Sequence, residues 1–518
     1  MRGRQKNQPS REIVELGDHS GGLRLVAFSD YRSQDIGVLL SELSKVQPAP
    51  DLILYAGDDI ARFRPHRNRN YFARIARIAR HGLCAVAGND DLPSARELIS
   101  GKSIFNVHQR PVSVGGYAIL GLDGAPLRKG TGIGYLLHPE RAIAKHLRLQ
   151  KLNSDSLQLI VLSHAPPEGI LDQAVRFSVN GEARSIGSSA LKNFIETNKE
   201  VVLVVCGHVH RCGGKHENHN GTTVINAANH DDDKAIARLA LIELRPLRPP
   251  KIEWRLIRPV AMVPGIGPTS RERLERIGIR TVEELAVSAL GDLQAVLPAG
   301  LSPGRLRSRA QAIVQGRPVL LRAPELPKGL EIYLDIETDL RQTYIWLIGL
   351  CVGQNGRYQS FFAKSPAEEK EILSKFAAFM RRYPDANILT CSGCRFEERV
   401  ISKRLAAHGL SITICDKMLD LHPVICRCAA LPTSSYGVKD MGGFFGYRYK
   451  HPGLNGFTIA SYYDAYCRGR NQKQRRALAQ KMIEYNRDDV RCLPFIVKAI
   501  ETIFARENVE QVQDVLFD

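Results

Sequence analysis

The sequence predicts a multidomain α/β protein, and three observations lead there. At 518 residues the chain is too long for one ordinary core, with about three domains expected. Through its first half, strand-sized apolar runs alternate with helical or loop segments, the pattern of a layered α/β domain. A proline- and arginine-rich break near residue 250 and a short helical block then separate this region from a second sheet-forming one.

Taken in order, residues 1–20 are expected as a flexible tail and 21–246 as the first domain. The latter is built on "LRLVAF", "DLILYAG", "LCAVAG", "LQLIVLSH" and "VVLVVCGH". "RPLRPPKIEWRLIRP" places a linker at 247–259. A small all-α domain is expected over 260–318. From 325 to 518 a second α/β domain opens with "LEIYLDIET" and "IWLIGLCVG" and closes in a long amphipathic helix from about Gln472.

Composition narrows the function. The chain has 72 lysines and arginines against 54 acids, a net charge of +18. Acidic partners are favoured, nucleic acid first, because guanidinium forks match phosphate oxygens. No apolar run is long enough to span a bilayer, and "MRGRQKNQPSREIVEL" lacks the apolar core of a secretory signal. A cytoplasmic location with no membrane contact is expected. Eleven cysteines without a disulfide-like rhythm point to reduced thiols. Cys391 and Cys394 have the CxxC spacing of zinc sites, with Cys426 and Cys428 nearby, but chance gives that spacing readily in such a chain. The sequence specifies neither a homo-oligomer nor a protein partner.

Chemistry concentrates at strand ends. "VVLVVCGHVHRCGG" ends in His208 and His210, and alternation along an extended chain would put both on one side. Four other apolar runs end in Asp30, Asp58, Asn89 and His164. Donors at the ends of neighbouring strands converge, as a metal site on an α/β fold requires.

This ordered set resembles the calcineurin-like metallophosphoesterases, over nearly the whole first domain. The resemblance implies a four-layer α/β sandwich and a two-metal site bridged by Asp58. One ion would take Asp30, Asp58 and His210; the other Asp58, Asn89, His164 and His208. Such paired ions activate a hydroxide and neutralise phosphate oxygens. Two positions depart from the family. Arg32 stands where a histidine ligand is usual, and a guanidinium does not ligate metal. It would weaken the first ion's site while offering a hold on a substrate phosphate. Asp90 stands where many members have a histidine that protonates the leaving group, and a carboxyl is the weaker donor at neutral pH. Further on, "RFRPHRNRNYFARIARIARHG" carries seven arginines and no acid, either a solvated outer face or a phosphate-tracking surface.

"VPGIGPTSRERLERIGIRTVEEL" closely resembles a helix–hairpin–helix module, which usually holds DNA. Gly265 and Gly267 allow a tight turn whose exposed N–H groups can bind a phosphate, with Thr269 or Ser270 as a helix cap. Thr269, Arg271 and Arg305 are the further candidate DNA contacts. "LPAGLSPGRLRSRAQAIVQG" reads as a weaker second copy.

In the last domain Asp335 and Glu337 share one face of a strand, where they repel unless cations such as Mg²⁺ or Mn²⁺ lie between them. Glu397 or Glu398 opens a helix, and Tyr485 lies four residues before Asp489, on one helical face. These residues, with "SYGVKDMGGFFGY", resemble the ribonuclease-H-like DEDD-type 3′–5′ exonucleases. The resemblance implies that Asp335 bridges two ions, Glu337 and Asp489 complete the first, Glu397 supports the second, and Tyr485 orients the attacking water. Asp488, one helical step away, should face elsewhere.

The three regions together suit a Mn²⁺- or Mg²⁺-dependent nuclease acting on single- or double-stranded DNA, in repair or defence. Two other classes fit parts of the sequence. One is a small-molecule phosphodiesterase with a DNA-binding scaffold; the other is a non-catalytic DNA-binding protein with a decayed phosphoesterase domain.

Overall fold

In the first half of the chain, apolar β-branched runs become strands that stop where the polar residues begin, so the candidate ligands there follow the strands; in the second half Asp335 and Glu337 lie within one. The computed structural model describes residues 13–17, 22–31, 36–64, 66, 69–128, 134–151, 157–174, 184–229, 237–411 and 417–517, with side chains of the last helix described to Arg506. Two units separate, Met1–Pro259 and Val260–Asp518.

In the first unit a six-stranded sheet carries the parallel neighbours Leu23–Phe28, Leu52–Tyr55 and Gly82–Ala85. A seven-stranded sheet carries the parallel neighbours Tyr117–Leu122, Gln158–Ser163 and Val201–Cys206. Leu25, Leu54, Ile160 and Val205 meet in one core between the sheets. Helices Ile36–Ser44 and Tyr71–Ala76 cover the outer face of the first sheet. Glu140–Lys151 and Ser189–Thr197 cover that of the second, giving four layers.

Two boundary expectations are corrected. Residues 247–259 are not merely a linker, because Lys251–Ile257 is a strand paired along its length with Ala237–Leu244. Its prolines flank the run, and inside it Ile252, Trp254 and Leu256 alternate with charged residues at the strand period. Within the expected tail, Val14–Glu15 adds in parallel to Val112–Val114 at the edge of the larger sheet.

The second unit begins with helices Pro268–Arg276, Val282–Val287, Leu290–Val296 and Pro303–Gln315 around Val263, Leu274, Val282, Leu285, Leu293 and Leu306. This helical segment has its own small core but is not a separate unit. Val319–Leu320 pairs with Ala429–Ala430, and the Arg309 guanidinium lies 4.7 Å over the Tyr436 ring. The sheet has five strands in the order Tyr358–Phe362, Ile345–Val352, Glu331–Thr338, Asn387–Thr390, Met418–Asp420. The first three are antiparallel and the rest parallel. The long helix Gln472–Phe517 lies against it.

Candidate metal centres

The first centre assembles at the carboxyl-terminal edge of the parallel strands in the first unit. Asp30, Asp58 and His164 are buried, and each offers a ligand atom within 4.8 Å of the others. The His164 Nδ1 lies 2.7 Å from the Ala56 carbonyl and donates to it. That bond aims Nε2 at Asn89 Oδ1, 2.9 Å away, and at Asp58 Oδ2, 3.4 Å away. His210 Nε2 lies 3.0 Å from Asp30 Oδ1, and the His208 N–H donates to Asp30 Oδ2 at 3.1 Å. The His208 and His164 rings stand 5.1 Å apart.

The backbone is shaped around these groups. Asp30, Asp58 and His208 adopt left-handed φ values of 52°, 61° and 65°, which cost energy and persist where surrounding structure enforces them. A Cβ on Gly88 would sit 1.8 Å from Asp58 Oδ1, and one on Gly207 2.4 Å from Asp30 Oδ2. The strand therefore stops at Cys206, and strand alternation does not align the two histidines. His208 turns in a left-handed residue and His210 opens a 3₁₀ turn, which sends both rings to the cluster by another route.

The His164 imidazole carries part of the positive charge that this cluster needs. Burial opposes the imidazolium of His164, yet the charge and hydrogen bond of Asp58 lift it to about 10. Burial pushes the Asp30 carboxyl up, but His210 and His164 together hold it below the ordinary aspartate range. Burial, with the neighbouring His164 charge, lowers His208 to about 4, leaving a neutral imidazole. This donor set fits a divalent cation, which would replace the His164 proton. Asp90 donates its N–H to Asp58 Oδ1 at 2.9 Å, and burial and the Asp58 charge raise its carboxyl. Arg32 lies outside the described residues.

The second centre lies where the long helix crosses the five-stranded sheet. Asp335, Glu337 and Asp489 bring ligand atoms within 4.8 Å of one another. Burial and the charges of neighbouring carboxylates raise Asp335 well above the carboxylate range and Glu337 to about 8, while burial and, less, the adjacent Asp488 raise Asp489 to about 6. Asp489 Oδ1 and Glu397 Oε2 are buried with no hydrogen-bond partner. Clustered carboxylates with orphaned oxygens fit hard divalent cations. Of the two glutamates opening helix Phe396–Ala407, Glu397 is buried, whereas Glu398 pairs with Arg395 at 2.9 Å. Glu397 lies outside the three-residue cluster, and its charge reaches Asp335. Tyr485 shares a hydrogen bond with Asp489, while Asp488 turns away and accepts from the Lys450 N–H at 2.7 Å.

The calcineurin-like phosphoesterase family model matches residues 16–212, and the RNase_H superfamily model matches 332–501. The chain carries both domains. Each is typical of metal-dependent hydrolases that act on phosphoester bonds. No curated protein matches the chain. Among solved structures, TT1561 of Thermus thermophilus is 18% identical, with a TM-score of 0.33 over 45% of this chain and 99% of that one. The family B DNA polymerase of the hyperthermophilic archaeon Pyrobaculum calidifontis is 12% identical, with a TM-score of 0.25 over 55% and 44%. The sulfate thiohydrolase SoxB of Thermus thermophilus, in complex with glycerol, is 12% identical, with a TM-score of 0.25 over 61% and 64%.

Four residues of these domains escaped the sequence reading. In the RNase_H superfamily domain the fully buried Asn486 donates to Asp335 Oδ2 at 2.6 Å and accepts from the Tyr358 hydroxyl at 2.8 Å. Gly349, cross-strand from Asp335, makes room: its Cβ would lie 1.8 Å from Asn486 Oδ1. Lys439 places its ammonium 4.0 Å over the Tyr485 ring and opposes the rise of Glu337 and Asp489. In the phosphoesterase domain Asp91 accepts from the Gly88 N–H at 2.8 Å and the Ile60 N–H at 3.0 Å, bracing two ligand loops. A second carboxylate directly after Asp90 was the only sequence signal for it.

In the helical segment Gly265 has a φ of 96°, and Gly267, not Thr269 or Ser270, caps helix Pro268–Arg276. Pro268, with φ preset for a helix, starts it earlier and leaves Thr269 inside the first turn. Gly265, Gly267, Thr269 and Arg305 are exposed, whereas Arg271 is held by Glu275 at 2.5 Å. Arg309 donates to the Pro264 carbonyl at 2.7 Å and pins the turn. The CxxC cysteines form no metal cluster among the described residues: Cys391 packs against the core and Cys394 is exposed. No helix among the described residues is long and apolar enough to cross a membrane.

Proposed function

We propose that the protein is a divalent-metal-dependent nuclease that hydrolyses DNA phosphodiester bonds. A 3′–5′ exonuclease-type site would lie in the RNase_H superfamily domain and a second phosphoesterase site in the first domain, in the service of repair or defence. The observation that carries this reading is the carboxylate trio of buried Glu337 and half-buried Asp335 and Asp489, with Tyr485 beside it and Glu397 within reach of Asp335. Three carboxylates crowded this closely repel one another unless cations lie between them. Mg²⁺ or Mn²⁺ suits its all-oxygen donors, and of these two the imidazoles of the first centre favour Mn²⁺ over the harder Mg²⁺.

When bound, paired cations supply charge neutralisation at the attacking and leaving oxygens. The chain's own groups do the rest. Asn486 fixes the Asp335 carboxylate. The Tyr485 hydroxyl, steadied by Asp489 and by Lys439 above its ring, is placed to orient a water. In the first domain burial and the Asp58 charge raise the Asp90 carboxyl, the direction that suits a proton donor to a leaving oxygen. The exposed N–H groups around Gly265 and Gly267 are suited to a backbone phosphate, as in a helix–hairpin–helix module.

The test is cleavage of end-labelled single- and double-stranded DNA in Mn²⁺ by wild type, Asp335→Ala, and Asp58→Ala with His208→Ala. Loss of stepwise shortening in Asp335→Ala supports the assignment. Loss only in the first-domain variant contradicts it. Hydrolysis of a chromogenic diester that survives Asp335→Ala, with no DNA cut by any form, would favour the small-molecule phosphodiesterase.

A further inference from the structure

The phosphoesterase domain carries a basic groove that neither metal centre uses. Arg69, Asn70, Tyr71, Ala73, Arg74 and Arg77 line a cavity of about 560 Å³. No aspartate or glutamate occurs between Asp59 and Asp90, so the segment cannot neutralise itself. Its other described arginines have work elsewhere: Arg62 pairs with Asp59 at 2.8 Å, Arg80 with Asp51 at 3.0 Å, and Arg64 donates to Ser100 at 3.1 Å. Arg69, Arg74 and Arg77 are exposed and pair with no described carboxylate. A merely solvated helix face carries acids among its bases, three or four residues apart, and this one has none.

An aromatic ring accompanies the charge. Tyr71 is half-buried at the groove wall, and the Arg74 guanidinium lies 5.8 Å from its ring centroid. Phe72 and Ile75, on the opposite face of the helix, are fully buried in the domain core, so the platform is rigid. Guanidinium groups beside an aromatic face are the two elements by which proteins hold unpaired strands: charge along the backbone and a surface on which a base stacks. Arg69 and Asn70 belong to the crossover that leaves the sheet after Asp58, on the edge where the ligand loops emerge.

We propose that this groove binds a single-stranded polynucleotide, with Arg69, Arg74 and Arg77 on successive phosphates and Tyr71 under a base. The assignment shares with the proposed function only the premise that a polynucleotide is the ligand. It does not require either centre to cut.

The test uses the full chain in chelator and measures fluorescence anisotropy of a labelled oligothymidylate across a salt series. The triple variant Arg69→Ala/Arg74→Ala/Arg77→Ala is compared with Arg141→Ala/Lys145→Ala/Arg148→Ala, which loses the same charge from an exposed face of helix Glu140–Lys151. Because each guanidinium neutralises one phosphate, the slope of log affinity against log salt should become shallower by about 2 in the groove variant. The control triple should keep the wild-type slope. Tyr71→Ala should weaken binding about fivefold or more on single strands and leave duplex binding unchanged. Equal losses in the two triples, or a silent Tyr71→Ala, would overturn the assignment. So would a groove variant that loses binding only to anionic phosphatidylserine vesicles. DNA cleavage by wild type together with an unchanged slope in the groove triple would sink the groove alone. No binding of any polynucleotide by wild type would sink both readings. Matched thermal melts of the two triples guard against misfolding, and Arg74→Lys/Arg77→Lys, which preserves charge, should retain the wild-type slope.

Discussion

Replacing Glu337 with glutamine should stabilise the metal-free protein at neutral and higher pH. Glu337 is 8% exposed and its carboxyl is pushed up to about 8 from an ordinary 4.5 by burial and by the charge of Asp489. Below pH 4.5 the group is protonated in both folded and unfolded chains and costs nothing. As pH rises from 4.5 to 8 the unfolded chain ionises while the folded one keeps its proton, so metal-free stability falls. Above 8 the group is ionised in both states and the cost levels off. A shift of this size corresponds to about 5 kcal/mol, shared among the coupled carboxylates. Glu337→Gln keeps the shape and the link to Asn486 but removes the charge. Urea unfolding in chelator should therefore show the variant equal to wild type near pH 4.5 and more stable by several kcal/mol at pH 8. Saturating Mn²⁺ should reverse the order, because the first centre stabilises both forms alike and only wild type gains fully from cation binding at the second. A variant no more stable than wild type at pH 8 would refute the claim that uncompensated charge dominates this cluster.

Other outcomes follow from the same geometry. Asn486→Ala should loosen Asp335 and lower metal affinity roughly 10- to 100-fold, read by isothermal titration. Gly349→Ala, whose Cβ would meet Asn486 Oδ1 at 1.8 Å, should cost about 1–3 kcal/mol of stability in denaturant and displace Asn486. Gly207→Ala drives a methyl to within 2.4 Å of Asp30 Oδ2 and should empty the first centre, seen as lower metal content after dialysis. Arg32→His should raise occupancy of the ion site that the family resemblance implies is weakened by Arg32; equal metal content in both forms would count against that ligand set.

The candidate centres were legible in the sequence because their donor residues punctuate apolar runs or share a strand face. Asp30, Asp58, Asn89 and His164 each follow a strand that period and β-branching make plain, and Asp335 with Glu337 lies on one. Residues acting through tertiary contact were not legible. Asn486 sits in "EYNRDD" among more conspicuous acids, and its role depends on a glycine opposite Asp335 and a tyrosine two strands away. Lys439 reaches Tyr485 from another helix. The path of "GHVH" was misjudged because alternation assumes extended backbone, whereas His208 is left-handed. Prolines near residue 250 masked a strand whose alternating Ile252, Trp254 and Leu256 outweigh them.

Bound metal per chain is the decisive quantity for two independent centres. Wild type, Asp58→Ala, Asp335→Ala and the double variant would each be equilibrated with Mn²⁺, freed of excess and assayed for manganese. Each single variant should lose part of the wild-type complement, and the double variant should bind essentially none. Wild-type manganese in either single variant, or undiminished binding in the double, would contradict the two-centre assignment.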